Sequence, residues 1–139
     1  MDITQYTKEL ATQYAEENNC TAWDINNGLC ADFAADLISK LGGYNDSIFE
    51  LSGDMFFNFR DVEFAKENWG LITETEYGVW SDKMLDLYGC PPINIHNLKD
   101  ELAHVWVFCD GKHYDAETPE GVTNWFQLPF FQRYWNILN

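Results

Sequence analysis

The chain has 139 residues, the size of one ordinary domain, and a domain of that length buries about two-thirds of the surface its unfolded form exposes. Hydrophobic residues make up 46% of it and aromatics 17%, which supplies ample apolar area to offset chain entropy and excludes disorder of the whole chain. Twenty-three acidic residues against eight basic ones give a net charge of -15, a field that repels phosphate backbones and argues against nucleic acid as a partner.

The same charge favours a cationic substrate or partner, although a solvated, self-repelling surface is the plainer account of acids this scattered. No segment approaches the ~20 apolar residues of a membrane helix. The start, MDITQYTKEL, has neither the basic residues nor the apolar run of a secretory signal. A soluble, cytoplasmic protein with no membrane partner is therefore expected, with Cys20, Cys30, Cys90 and Cys109 reduced. None of the four forms a C-x-x-C pair and His96, His104 and His113 are scattered, so neither a metal nor another cofactor is called for.

Ile3, Tyr6, Leu10 and Tyr14 recur at helical spacing, which predicts an amphipathic helix over residues 3 to 17. The Asn-rich stretch NNCTAWDINNG reads as a loop leading to an Asn-capped helix start. A second helix follows, with Cys30, Phe33, Ala34, Leu37, Ile38 and Leu41 on one stripe and a stop at Gly42-Gly43. It should be buried and central. Residues 44 to 80 read as irregular structure with one short helix near Asp61 to Asn68. Another short helix is expected from Ser81 through Tyr88, and a helical turn around Asn97 to Leu102.

The stretch AHVWVFCDGKHYDAE reads as two strands joined by Asp110-Gly111, a dipeptide suited to a two-residue type I′ hairpin. That register pairs Cys109 with Lys112, Phe108 with His113, Trp106 with Asp115 and His104 with Glu117. It places His104, Trp106, Phe108, His113, Asp115 and Glu117 on one face and Val105, Val107, Cys109, Tyr114 and Ala116 on the other. The aromatic-rich C-terminus, GVTNWFQLPFFQRYWNIL, should close over the sheet. With no repeat and no linker, residues 1 to 139 are expected to form a single α+β domain.

Two residue types then suggest chemistry. A thiol at a helix start is activated by unpaired N–H groups and the positive end of the helix dipole, and Cys30 occupies such a position, although its spacing also suits a small core residue. A catalytic imidazole needs a partner on its second nitrogen, and for His104 the hairpin offers either Asp115 or Glu117.

The pattern N-G-L-C-A-D-F-A, a helix ending in L-G-G, and then H-V-W-V-x-x-D-G-K-H-Y-D-A-E resembles the papain-like cysteine-hydrolase clan, with its NlpC-type amidase and transglutaminase-like branches. The resemblance covers about a third of the chain. It implies a central helix carrying the cysteine packed on a small antiparallel sheet, with Cys30 as nucleophile, His104 as base and Asp115 as the orienting acid. Where papain-like enzymes carry an oxyanion-binding Gln, six residues before the nucleophile, this chain has Asp24, which cannot donate when ionised. Asn26 or Asn27 is then the candidate side-chain oxyanion donor.

The function expected from these readings is a thiol hydrolase or acyltransferase acting on an amide-type bond in a peptide, amide or amine substrate, with a cationic one favoured by the charge. The alternative is a non-catalytic acidic protein on the same scaffold that occupies a basic partner. A metal-dependent hydrolase using His104, His113 and Asp115 has suitable ligand types but no recognised spacing.

Overall fold

The computed structural model describes residues 2–42, 47–52, 55–58 and 103–138, and the side chains of 2–42 and 104–133. Asp2 opens the first helix by accepting the Gln5 N–H at 2.9 Å, and α1 spans Ile3–Asn18. Its buried face is Thr7, Leu10 and Tyr14. Thr7 tolerates burial because its hydroxyl donates to the Ile3 carbonyl at 2.7 Å.

The expected Asn-rich loop is instead mostly helical. A short helix, α2, spans Ala22–Asp24, and the chain from Ile25 to Leu29 is kinked at Asn27 (φ -108, ψ 32) and Gly28 (φ 165, ψ -24), where the backbone leaves helical geometry before α3 begins. The cause of the early helix start is a capping box: Thr21 Oγ1 accepts the Asp24 N–H at 3.3 Å while Asp24 Oδ2 accepts the Thr21 N–H at 2.9 Å. The T-x-x-D spacing starts the helix eight residues ahead of Leu29, so α3, Cys30–Lys40, follows without an Asn cap. Leu29 stands at the cap position and contributes no side-chain hydrogen bond. Phe33, Ala34 and Leu37 form the buried stripe of α3, and Gly42, at φ +91, takes the left-handed conformation that ends it.

Four strands form an antiparallel sheet in the order β2-β1-β3-β4: β1 is Ser47–Ser52, β2 Met55–Asn58, β3 Ala103–Cys109 and β4 Lys112–Tyr114. β1 and β2 correct the expectation of irregular structure at the start of residues 44 to 80. Ser52 pairs with Met55, and the Gly-Asp dipeptide between them in the sequence is a hairpin signal that went unread. The helices expected near 61–68 and 81–88 and the turn at 97–102 lie outside the described residues, as do Cys90 and His96.

The β3–β4 turn is of the expected kind, with Asp110 at φ 49 and Gly111 at φ 80, and it aligns Cys109 with Lys112 and Phe108 with His113. The expected pairs Trp106–Asp115 and His104–Glu117 do not form, because β4 ends at Tyr114. Asp115 ends it: its Oδ1 accepts the Glu117 N–H at 3.0 Å in an Asx turn, and its carbonyl accepts the Thr118 N–H at 3.0 Å. The outer edge of β4 is met by Val122, which exchanges backbone hydrogen bonds with His113 at 2.7 and 3.0 Å.

The alternation of β3 and β4 divides the packing in two. Val107, Cys109, Tyr114 and Ala116 join Leu10 and Tyr14 of α1 and Phe33, Ala34 and Leu37 of α3 in one apolar core. His104, Trp106 and His113 face an aromatic layer from the C-terminus, where a 3₁₀ turn, Trp125–Gln127, leads into α4, Pro129–Leu138. Pro129 suits the first position of a helix, where its missing N–H costs nothing. The described residues thus form an α+β arrangement in which α3 packs on an antiparallel sheet.

Candidate active site

His104 sits near the start of β3 and is fully buried. Its Nε2 lies 2.9 Å from Asp115 Oδ2, and Asp115 is itself 2% exposed. An ionised carboxylate accepts only, so Nε2 carries the proton and Nδ1 is left with its lone pair. The Asx turn holds the other carboxylate oxygen, and the two bonds together fix the direction of the acid. Asp115 therefore reaches His104 from a turn.

The ring plane is fixed as well. Phe130 of α4 stacks on the imidazole at 4.3 Å between centroids and 13° between planes, Trp106 stacks at 5.6 Å, and Phe131 meets it edge-on at 5.7 Å. Trp106 is fully buried.

Cys30, partly exposed, is the first residue of α3. Burial pushes its thiol pKa up, but the neighbouring His104 imidazole and the backbone N–H groups of Val105 and Ala31 outweigh burial and hold it below the ordinary thiol value. His104 shows the reciprocal effect: burial pulls its pKa down, while Asp115 and Cys30 raise it by more. Nδ1 makes no hydrogen bond in the structure, so the nitrogen opposite the Asp115 bond is unoccupied. The fold thus brings Cys30, His104 and Asp115 together.

Glu117, the other acid considered for the third position, is engaged elsewhere. Arg133 forks onto it at 2.6 and 2.7 Å, and Asn26 Nδ2 donates to it at 3.1 Å. That bond uses one N–H of the Asn26 amide, and the Asn27 amide spends one on the Trp23 carbonyl at 2.8 Å, which leaves each of these two expected oxyanion donors a second N–H. Asp24 belongs to the capping box, whose Thr21 hydrogen bonds hold its carboxyl below the usual range. Arg133 was missed by sequence reasoning. Its only sequence signal is a lone cation in an aromatic helix, three residues after Phe130.

His113 lies on the same hairpin under opposite influences. Trp106 Nε1 donates to its Nδ1 at 2.9 Å, and burial lowers its pKa to about 3, so it stays neutral. Among the described residues no three His, Cys, Asp or Glu side chains converge to hold a metal ion, and no helix is long and apolar enough to cross a membrane. Cys20 and Cys30 are free thiols, and Cys109 lies in the apolar core on the opposite face of β3 from His104.

Compared with known proteins, the chain matches no family model, no curated relative and no solved structure.

Proposed function

We propose that the protein is a thiol hydrolase or acyltransferase of papain-like type, acting on an amide-type bond through Cys30, His104 and Asp115. The observation that carries this reading is the directional chain of the three groups. Asp115 occupies Nε2 of a buried imidazole and leaves Nδ1 as the basic nitrogen, and the same imidazole lowers the pKa of the neighbouring Cys30 thiol. A structural cysteine requires none of this. The order of helix-borne thiol, strand-borne histidine and following acid also supports the papain-like comparison.

In the reaction, Nδ1 of His104 takes the Cys30 proton as Sγ attacks the carbonyl carbon. Charge developing on the carbonyl oxygen is stabilised by the positive end of the α3 dipole, which no side-chain cap screens. Collapse expels the amine, which receives the proton from His104, and leaves a thioester on Cys30. Water, deprotonated by His104, releases the acid; an amine in its place gives transfer. The net charge of -15 favours a cationic group on the substrate.

The test is the pH dependence of Cys30 alkylation by iodoacetamide, followed residue by residue by mass spectrometry in the wild type and in His104→Ala. The reading requires Cys30 to react well below the ordinary thiol pKa of about 8.5 and to lose that reactivity without His104. An inert Cys30, or one indifferent to His104, would leave the chain as an acidic binding protein for a basic partner.

A further inference from the structure

Six residues close a circuit of contacts beside Cys30. Arg133 forks onto the Glu117 carboxylate, and the Glu117 N–H donates to Asp115 Oδ1 at 3.0 Å. Asp115 Oδ2 meets His104 Nε2 at 2.9 Å, and the His104 ring stacks on Phe130 at 4.3 Å. Phe130 lies 6.2 Å from the Trp23 ring, and the Arg133 guanidinium sits 4.0 Å over that same ring. Asn26, four residues before Cys30, joins the circuit through its bond to Glu117 at 3.1 Å.

Four separate segments meet here: the helical lead-in to Cys30, β3 with His104, the turn that carries Asp115, and α4. Phe130 and Arg133 are three residues apart on α4, so one helix face supplies both the ring that packs on the imidazole and the cation that holds the acid turn. An ion pair with Arg133 43% exposed adds little to stability by itself. What a bidentate fork supplies is geometry, because the planar guanidinium fixes the carboxylate in two directions where an ammonium would not.

We propose that Arg133 and Glu117 are positioning residues for Cys30, His104 and Asp115: their fork fixes the Asx turn that aims Asp115 at His104 and seats α4 so that Phe130 holds the imidazole plane. This role rests on the thiol hydrolase reading and extends it to two residues that touch neither the thiol nor the imidazole.

The experiment compares full-length wild type, Arg133→Met and Glu117→Gln by the pH profile of Cys30 alkylation, with His104→Ala as reference. Bare charge and positioning give different signs. Removing the cation leaves the Glu117 charge behind and disfavours a thiolate, whereas removing the Glu117 charge frees the Arg133 cation and favours one. Loss of positioning weakens the contact between His104 and Cys30 in both variants. The expected result is therefore an upward shift of the Cys30 profile in both, with alkylation near neutral pH slower by about three- to tenfold. Unchanged profiles, or an upward shift in Arg133→Met with a downward one in Glu117→Gln, overturn the proposal. Should Arg133→Met fail to fold, the near-isosteric Glu117→Gln decides alone, since its charge effect and its positioning effect have opposite signs.

The two levels fail separately. A wild-type Cys30 that titrates as an ordinary thiol and ignores His104→Ala removes the hydrolase reading and this role with it. A low, His104-dependent profile that both variants leave unchanged removes the positioning role alone.

Discussion

His113 makes acid stability a sharp test of how this hairpin is packed. Its ring is 1% exposed, Trp106 occupies Nδ1, and burial lowers its pKa from 6.5 to about 3. A histidine held neutral in the folded protein contributes stability in full above its unfolded pKa, and that contribution is lost as pH falls from there toward the folded value. Integrated between about pH 7 and about pH 4.5, the difference in proton uptake amounts to about 2.5 kcal/mol. His104 works in the opposite direction: its folded pKa is raised, so its contribution is present below the unfolded pKa and lost as pH rises through the folded one. The two are separated by comparison with His113→Asn, whose side-chain oxygen can accept the Trp106 N–H near the position of Nδ1 but cannot titrate. Urea unfolding of both proteins across that pH range should show the wild type losing about 2.5 kcal/mol more than the variant. Equal pH dependence in the two would mean that His113 protonates without penalty, and the buried, neutral ring described here would be wrong.

Three further outcomes follow from the site and its supports. Asp115→Asn should slow Cys30 alkylation near neutral pH by about a hundredfold or more and by far more than Glu117→Gln does, because only Asp115 bonds the imidazole; the reverse ranking would move the third role to Glu117. Trp106→Ala should cost about 3–5 kcal/mol in urea unfolding, since it empties a fully buried indole site and takes away the donor to His113. Gly121→Ala should destabilise by about 1–3 kcal/mol in the same assay, because φ is +75 and the added Cβ would lie 2.7 Å from Tyr114 Cζ; wild-type stability would show that the turn and ring give way freely.

The parts legible in the sequence are those whose signals are local. The α1 and α3 stripes repeat at helical spacing, and Asp110-Gly111 specifies a turn whose two residues both take positive φ, so the faces of β3 follow from alternation. Asp115 was harder to place. Strand alternation extends to Glu117 on paper, but an Asp can accept its own i+2 N–H, and here that bond stops the strand one residue after Tyr114. The same bond turns the acid toward His104. The lead-in to α3 was misread because Asn26 and Asn27 outweighed Thr21-x-x-Asp24, a capping box that starts a helix ahead of them.

Arg133 and Phe130 were out of reach for a different reason. Their partners are sixteen and twenty-six residues away, and nothing in the residues around Pro129 tells which face of α4 meets β3. Two buried histidines on one hairpin show how that distant packing decides chemistry. His113, whose Nδ1 accepts a neutral N–H donor, is kept uncharged by burial, whereas His104, with a carboxylate on one nitrogen and a thiol beside the other, is pushed toward the charged form despite complete burial. Under the proposed function, these opposed shifts suit His104 to the part of base and His113 to that of bystander. The opposition depends on Asp115 being held within 2.9 Å of the His104 ring while burial alone acts on His113, so any variant that loosens the turn at 115–117 should lower the His104 pKa toward that of His113.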